Sequence, residues 1–183
     1  QPGRNAGIGL ATSIGIARQG ANVYIVARSK EKGEEAVKEI KAASGNNNVK
    51  YFVANLSSQK SVRQLAADIK KELSVIDVLI NNAGGTFVEF GLTEDGLETT
   101  IATNHFAFFL LTNLLLDLIK KAEEKYCSPA FIYVYLYLKF ISSEPSFLSQ
   151  YNLWSLVCNN TFRSEGCFRR ILRNRLPEHI LHC

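Results

Sequence analysis

The stretch Gly3-Arg4-Asn5-Ala6-Gly7-Ile8-Gly9 decides the fold, because it stands directly at the start of a helical pattern over residues 6–19. Gly3 allows a tight turn, Gly7 lets a ligand approach the backbone closely, and Gly9 lets the helix pack near a sheet. Free N–H groups and the helix dipole favour a phosphate at such a helix start. The motif therefore predicts a phosphate-binding turn, although a plain strand-to-helix turn would look similar.

Helical and strand patterns alternate along the chain after this turn. Helices are predicted at residues 6–19, 30–43, 57–73 and 97–125, and strands at 22–27, 49–54, 76–80 and 130–138. Short connections between alternating helices and strands indicate a parallel sheet wrapped by helices. The predicted fold class is α/β, a partial Rossmann-like doubly wound sheet followed by an irregular C-terminal tail.

Composition places the chain among ordinary globular proteins. Its 183 residues fit one domain, and 46% of them are hydrophobic. The net charge of +4 gives no indication of nucleic acid as a partner. No apolar run reaches the roughly 18 residues that a membrane helix needs, so no transmembrane segment is predicted in this chain. Four cysteines without a CxxC pair favour a reduced intracellular protein, and leave cytoplasmic and membrane-associated locations both open.

A change in composition marks a boundary near residues 139–145. No alanine follows Ala130 and no lysine follows Lys139. We therefore predict a dinucleotide-type Rossmann domain over 1–139, truncated at its N-terminus, and a divergent tail of uncertain structure over 140–183. Either a divergent C-terminal segment or a tail of foreign origin, such as an alternative exon, would explain the change.

A zinc site is disfavoured, because the tail's cysteine and histidine spacings match no common zinc finger, and no metal is predicted.

The residues that follow the strand at 22–27 indicate which dinucleotide the chain would prefer. In dinucleotide folds an acidic residue at this place binds the ribose 2′-OH, whereas an arginine accommodates a 2′-phosphate. Here Arg28 follows the strand and the first acid is Glu31, which favours NADP over NAD. Arg4 is a second candidate for the phosphate. The alternative is that Arg28 is a solvated loop charge.

Four motifs at consistent distances carry a family resemblance. They are Gly3-xxx-Gly7-Ile8-Gly9, Asn55-Leu56, Asn81-Asn82-Ala83-Gly84 and Thr103-Asn104-His105. Together they resemble the short-chain dehydrogenase/reductase family over about residues 2–135. The phrases at 92–98 and 104–112 look most like its retinol-dehydrogenase-like branch.

The resemblance implies specific roles for these residues. Asn55 and Leu56 would flank the adenine, although the family usually has aspartate where Asn55 stands. Asn104 matches the catalytic-helix asparagine that helps to hold a proton-relay water; the alternative is an asparagine bonded within its own helix. The implied cofactor-binding residues are Gly3, Arg4, Asn5, Gly7, Ile8, Gly9, Arg28, Asn55, Leu56, Asn82, Ala83 and Gly84.

The catalytic serine, tyrosine and lysine of the family are missing at their expected places. Tyrosine needs a nearby cation to act as acid or base at neutral pH. Leu136 and Tyr137 stand where the serine is expected. Four residues after Tyr151, where the lysine is expected, stands Ser155. Tyr135 and Lys139 have the right spacing, but they lie in a strand-like run, where four-residue spacing separates them too widely.

The family's first strand, which lies at the centre of the sheet, has no counterpart before Gly3. The strands at 22–27 and 76–80 are therefore expected to lack a shared neighbour, so the chain is predicted to be a fragment that is unstable, aggregates or closes the gap by rearrangement.

Two functions remain open. One is an NADP-dependent oxidoreductase that moves a hydride between NADP(H) and a lipophilic alcohol or carbonyl. The other is a catalytically inactive relative that binds a nucleotide or a partner, and a homo-oligomer is left open.

Overall fold

The computed structural model describes residues 7–85, 87, 89–126, 131–134 and 179–183. Its helices are α1 (Ile8–Ala17), α2 (Lys30–Ser44), α3 (Gln59–Glu72), α4 (Thr99–Ile101) and α5 (Ala107–Tyr126), with a π-helical turn at Ala102–Phe106 that joins α4 to α5. Its strands are β1 (Asn22–Ala27), β2 (Val49–Val53), β3 (Val78–Asn81), β4 (Phe131–Val134) and β5 (His179–His182). The described elements alternate as the sequence predicts, apart from β5.

Local signals explain where the helices begin and end. The Ser29 side chain accepts a hydrogen bond from the backbone N–H of Lys32 and so caps the start of α2. Gly45 ends this helix with a φ of 74°, a left-handed conformation that favours glycine. Ser58 caps α3 in the same way, through the N–H of Ser61.

The strands form one parallel sheet in the order β2-β1-β5-β3-β4. In the central ladder β5 pairs with β1 on one side, where Val23 faces Ile180, and with β3 on the other, where Leu79 faces Leu181. The expectation that β1 and β3 lack a shared neighbour is therefore wrong. The sequence predicts instability, aggregation or closure of the gap between these two strands. The structure shows closure, because residues 179–182 of the C-terminal tail occupy the gap.

Hydrogen bonds hold β5 at both of its ends. At its start the backbone N–H of His179 donates to Oδ2 of the buried Asp77 at 2.6 Å, and the N–H of Asp77 donates to the carbonyl of His179 at 3.0 Å. At its end the carbonyl of Cys183 accepts from the N–H groups of Asn82 and Ala83 at 2.8 and 2.7 Å. The tail segment is thus joined to the sheet by backbone and side-chain contacts.

The core lies on both faces of the sheet. Successive side chains of β5 point to opposite faces of the sheet, and both faces are buried. Leu181 packs in the cluster formed with α3 and α5, and Ile180 packs in the cluster formed with α1 and α2. Both side chains are almost completely buried.

The helical stretch Thr99–Ala122 is long and apolar enough, by length and composition, to cross a membrane, and it is the one such helix in the described part of the chain. Buried core helices meet the same criterion. Leu111, Leu115 and Leu118 of this stretch are buried in the cluster with α3. Its apolar face is therefore used in packing.

Replacing Leu181 by alanine should strongly destabilise the fold. Its side chain is 0% exposed, and truncating a buried leucine typically costs about 2–5 kcal/mol. Leu92→Ala is the matched control, because Leu92 is 62% exposed and its truncation should cost less than about 0.5 kcal/mol. Urea unfolding followed by circular dichroism measures both. Equal midpoints for the two variants would show that β5 does not occupy the centre of the sheet.

Candidate functional site

Several predicted site residues meet at the edge of the sheet where the parallel strands end. A cavity of about 140 Å³ opens there. Arg28 after β1, Asn55 and Leu56 after β2, and Ala83 and Gly84 after β3 all line it. The remaining lining residues are Val26, Ala27, Ala54, Ser57, Phe87, Thr99 and Thr103.

A second, more open depression of about 490 Å³ lies beside the start of α3. Gln59, Lys60, Arg63, Gln64 and Asp95 line it. It contains none of the predicted cofactor-binding or catalytic residues. The cavity at the strand ends is therefore the candidate site.

The start of α1 borders the same edge of the sheet. Gly7 is the residue that precedes the helix, and a Cβ added there would meet no described atom within 4 Å. A Cβ on Gly9 would lie 2.7 Å from Nδ2 of Asn82 and 3.4 Å from the ring of His182. The predicted close packing at Gly9 is thus present, and no atom of the described residues fills the space beside Gly7.

Three further predicted residues of this turn, Gly3, Arg4 and Asn5, lie outside the described residues. Ile8 is described and is 54% exposed at the start of α1. The first turn of this helix holds no acidic side chain. A negatively charged group would therefore meet no like charge from that turn.

Asn55 shapes the turn that leads into α3. Its Oδ1 accepts hydrogen bonds from the backbone N–H and the hydroxyl of Ser57, at 3.1 and 2.8 Å. Its own N–H donates to the Ser61 hydroxyl at 2.8 Å. The acceptor that an aspartate would provide is thus retained at this position, without its charge.

Asn104 lies in the π-helical turn and is buried. Its Oδ1 accepts from the N–H of Gly85 at 3.0 Å, and its Nδ2 donates to the carbonyl of Gly85 at 2.9 Å. Its amide therefore bonds to the loop after β3, and the alternative of bonding within its own helix is wrong. Single π-helical turns inside α-helices are frequent at functional sites.

Thr103 is a site residue that the motif contained but to which the sequence assigned no role. It lines the cavity, it is buried, and its Oγ1 has no hydrogen-bond partner among the described residues. Buried polar atoms normally have partners. This hydroxyl is therefore available to a ligand in the cavity.

His182 is a second residue that sequence reasoning missed. Its Nδ1 lies 2.7 Å from the Ser13 hydroxyl of α1, and both residues are buried. Burial lowers the pKa of His182 from 6.5 to about 4, so the ring is neutral at physiological pH. No signal in residues 140–183 indicated this contact, because they follow no clear periodicity.

The places expected for the catalytic serine, tyrosine and lysine lie outside the described residues. This holds for Leu136 and Tyr137, for Tyr151 and Ser155, and for the pair Tyr135 and Lys139. The described part of the site thus consists of the strand ends, the start of α1 and the π-helical turn.

The fold and this edge of the sheet define the class of protein. The family model for short chain dehydrogenases matches residues 2–125. The chain belongs to the short-chain dehydrogenase/reductase family, as its motifs indicate.

Within this family the relatives are retinol-dehydrogenase-like. Human retinol dehydrogenase 13 is 44% identical over 118 residues, which cover 64% of this chain and 36% of that protein. Mouse retinol dehydrogenase 11 is 42% identical over 120 residues, which cover 66% of this chain and 38% of that protein. The chain therefore spans less than two fifths of the length of these relatives.

Solved structures show the same fold. A crystal structure of an uncharacterized protein from Mycobacterium paratuberculosis is 40% identical, with a TM-score of 0.54, and the match covers 63% of this chain and 40% of that one. The Pseudomonas aeruginosa RhlG/NADP active-site complex is 26% identical, with a TM-score of 0.52, and the match covers 67% and 48% of the two chains.

The buried His182 should make folding stability depend on pH in a specific window. Its pKa is lower in the folded chain than the ordinary 6.5, so the unfolded chain takes up the proton first. The contribution of neutral His182 to the free energy of unfolding is complete above pH 6.5. This contribution is lost as the pH falls toward 4, at up to about 1.4 kcal/mol per pH unit.

Urea unfolding between pH 4.5 and 7.5 measures this dependence. His182→Gln is the control, because it retains a polar side chain but does not titrate. Carboxylates contribute to both proteins, so the difference between the two pH profiles reports His182. Parallel profiles between pH 4.5 and 6.5 would contradict a buried neutral histidine.

Proposed function

We propose that this chain binds NADP(H) across the carboxyl edge of its sheet. The cavity lined by Arg28, Asn55, Leu56, Ala83 and Gly84 is the observation that carries this proposal. Crevices outside the carboxyl ends of parallel strands are the usual ligand sites of open α/β sheets. Residues that follow three different strands line the cavity, as expected for a site formed where parallel strands end.

The chain's residues fit such a cofactor. No atom of the described residues blocks the approach of a phosphate to the backbone at Gly7, at the start of α1, where N–H groups and the helix dipole favour negative charge. Asn55 and Leu56 would hold the adenine. Thr103 Oγ1, which is buried in the cavity wall without a described partner, offers a hydrogen bond to the cofactor.

The preference for NADP over NAD rests on Arg28. Its side chain is exposed at the end of β1 and lines the cavity. Among the described residues it forms no ion pair, so its guanidinium is available to a 2′-phosphate. Arginine binds phosphate with charge-assisted and often bidentate hydrogen bonds.

The proposed reaction is hydride transfer between NADP(H) and a lipophilic alcohol or carbonyl. The bound cofactor supplies or accepts the hydride. Asn104 would act through the loop after β3, because its amide holds Gly85 and so positions Ala83 and Gly84 along the ribose and nicotinamide. The names of the retinol dehydrogenase relatives support a lipophilic small-molecule substrate.

Exposed apolar side chains on the segment that follows β3 agree with such a substrate, since Phe87 of this segment lines the cavity. Phe87, Phe90 and Leu92 lie on the segment that follows β3, and Phe90 is 81% exposed. Exposed apolar groups gathered on one loop are typical of a surface that meets an apolar ligand. An intracellular location, either cytoplasmic or membrane-associated, belongs to the same proposal, and the oligomeric state stays open.

A second candidate is a nucleotide-binding chain without turnover. The sequence favours it, because Leu136 and Tyr137 stand where the family has its serine, and no lysine follows Lys139. A tyrosine without a neighbouring cation retains a pKa near 10 and transfers protons poorly at neutral pH.

Titration with NADPH, followed by fluorescence, and turnover of retinaldehyde with NADPH separate the two candidates. Binding together with turnover selects the oxidoreductase. Binding without turnover selects the inactive relative. If neither NADPH nor NADH binds at millimolar concentration, both candidates are wrong.

Replacing Arg28 by alanine should weaken NADPH binding about tenfold, the loss expected for a charge-assisted hydrogen bond. NADH lacks the 2′-phosphate, so its affinity should change less than about twofold. Lys30→Ala is the matched control, because Lys30 is an exposed cation two residues away that pairs with Glu34. Equal losses for the two cofactors, or for the two variants, would show that Arg28 does not bind the 2′-phosphate.

A further inference from the structure

His182 lies where the centre of the sheet meets the start of α1. It is the last residue of β5, so its side chain stands at the carboxyl edge that also holds the candidate site. It is 4% exposed. Its contacts with α1 place it beside the proposed phosphate position.

The ring lies along one face of α1. Gly9 and Ser13 are four residues apart in the helix and therefore share this face. Nδ1 bonds with the Ser13 hydroxyl at 2.7 Å, whereas Cε1 and Nε2 lie 3.4 Å from the place of a Cβ on Gly9. Nε2 is thus on the side of the ring toward the helix N-terminus.

Nε2 has no hydrogen-bond partner in the part of the chain that the structure describes. A neutral imidazole carries one N–H, and the nitrogen that carries it depends on the partner of the other nitrogen. A Ser13 hydroxyl that donates to Nδ1 leaves the N–H on Nε2. An anion near the first turn of α1 favours this same form, because it accepts from that N–H.

We propose that His182 binds the pyrophosphate of NADP(H), with its Nε2–H as the donor and the Ser13 hydroxyl fixing the ring. The inference rests on the proposed function. It adds a phosphate-binding side chain from β5 to Gly7 and the N–H groups at the start of α1. The strand that completes the sheet would then also take part in binding.

Two amide variants separate the roles of the two ring nitrogens. The side chain of His182→Asn reaches the place of Nδ1 but not that of Nε2, so it retains a group near Ser13. The side chain of His182→Gln reaches the place of Nε2 and gives up the Ser13 contact. NADPH fluorescence titration gives the affinity, and the thermal midpoint gives the stability of each variant.

The proposal predicts opposite orders in the two measurements. His182→Asn should be the more stable variant and yet bind NADPH about tenfold more weakly than the wild type, which corresponds to about 1.4 kcal/mol. His182→Gln should be the less stable variant but bind within about threefold of the wild type. If affinity instead follows stability, or if His182→Asn binds like the wild type, His182 does not bind the pyrophosphate.

A measurement on the wild-type protein does not depend on the folding of a variant. In the chain labelled with ¹⁵N-histidine, addition of NADP⁺ should shift the Nε2 resonance of His182 and slow the exchange of its proton with solvent. The resonance of His179, which lies at the opposite end of β5, is the internal control. Cofactor binding without a change at His182 overturns the inference alone, whereas absence of any binding to the wild type overturns the proposed function.

Discussion

The two hydrogen-bonded ladders that β5 forms with β1 and β3 are the constraint on which the rest of the structure depends. Backbone N–H and C=O groups in the middle of a sheet have no access to water, so each group left unpaired would cost about 1–3 kcal/mol. Four residues, His179–His182, satisfy the facing edges of both neighbours. The helices on each face pack against a continuous sheet only because this central position is filled.

The same four residues connect the two parts of the core with the candidate site. Ile180 and Leu181 extend into opposite apolar clusters, while His182 reaches the first helix at the edge where the strands end. Stability and the geometry of the candidate site are therefore coupled through one short segment. A displacement of β5 would move Asn82 and Ala83 as well, because their N–H groups donate to the carbonyl of Cys183.

Most of the fold and part of the site were predictable from local patterns. Ser29, Gly45 and Ser58 mark helix ends by capping chemistry, and the apolar run Asn22–Ala27 matches β1 at both ends. The family motifs identified the strand ends that line the cavity. The pairing of β5 was not predictable, because four residues carry no clear periodicity and their partners lie about 100 or more positions away, as Asp77 does from His179.

The position of β5 in the chain affects how the protein folds during synthesis. The ribosome makes β1 and β3 long before residues 179–182, so the centre of the sheet closes only after the intervening residues have emerged. Contacts between such distant segments slow folding, because a long loop must close first. Until then the facing edges of β1 and β3 are unpaired, and such edges are exposed to chaperones and to other nascent chains.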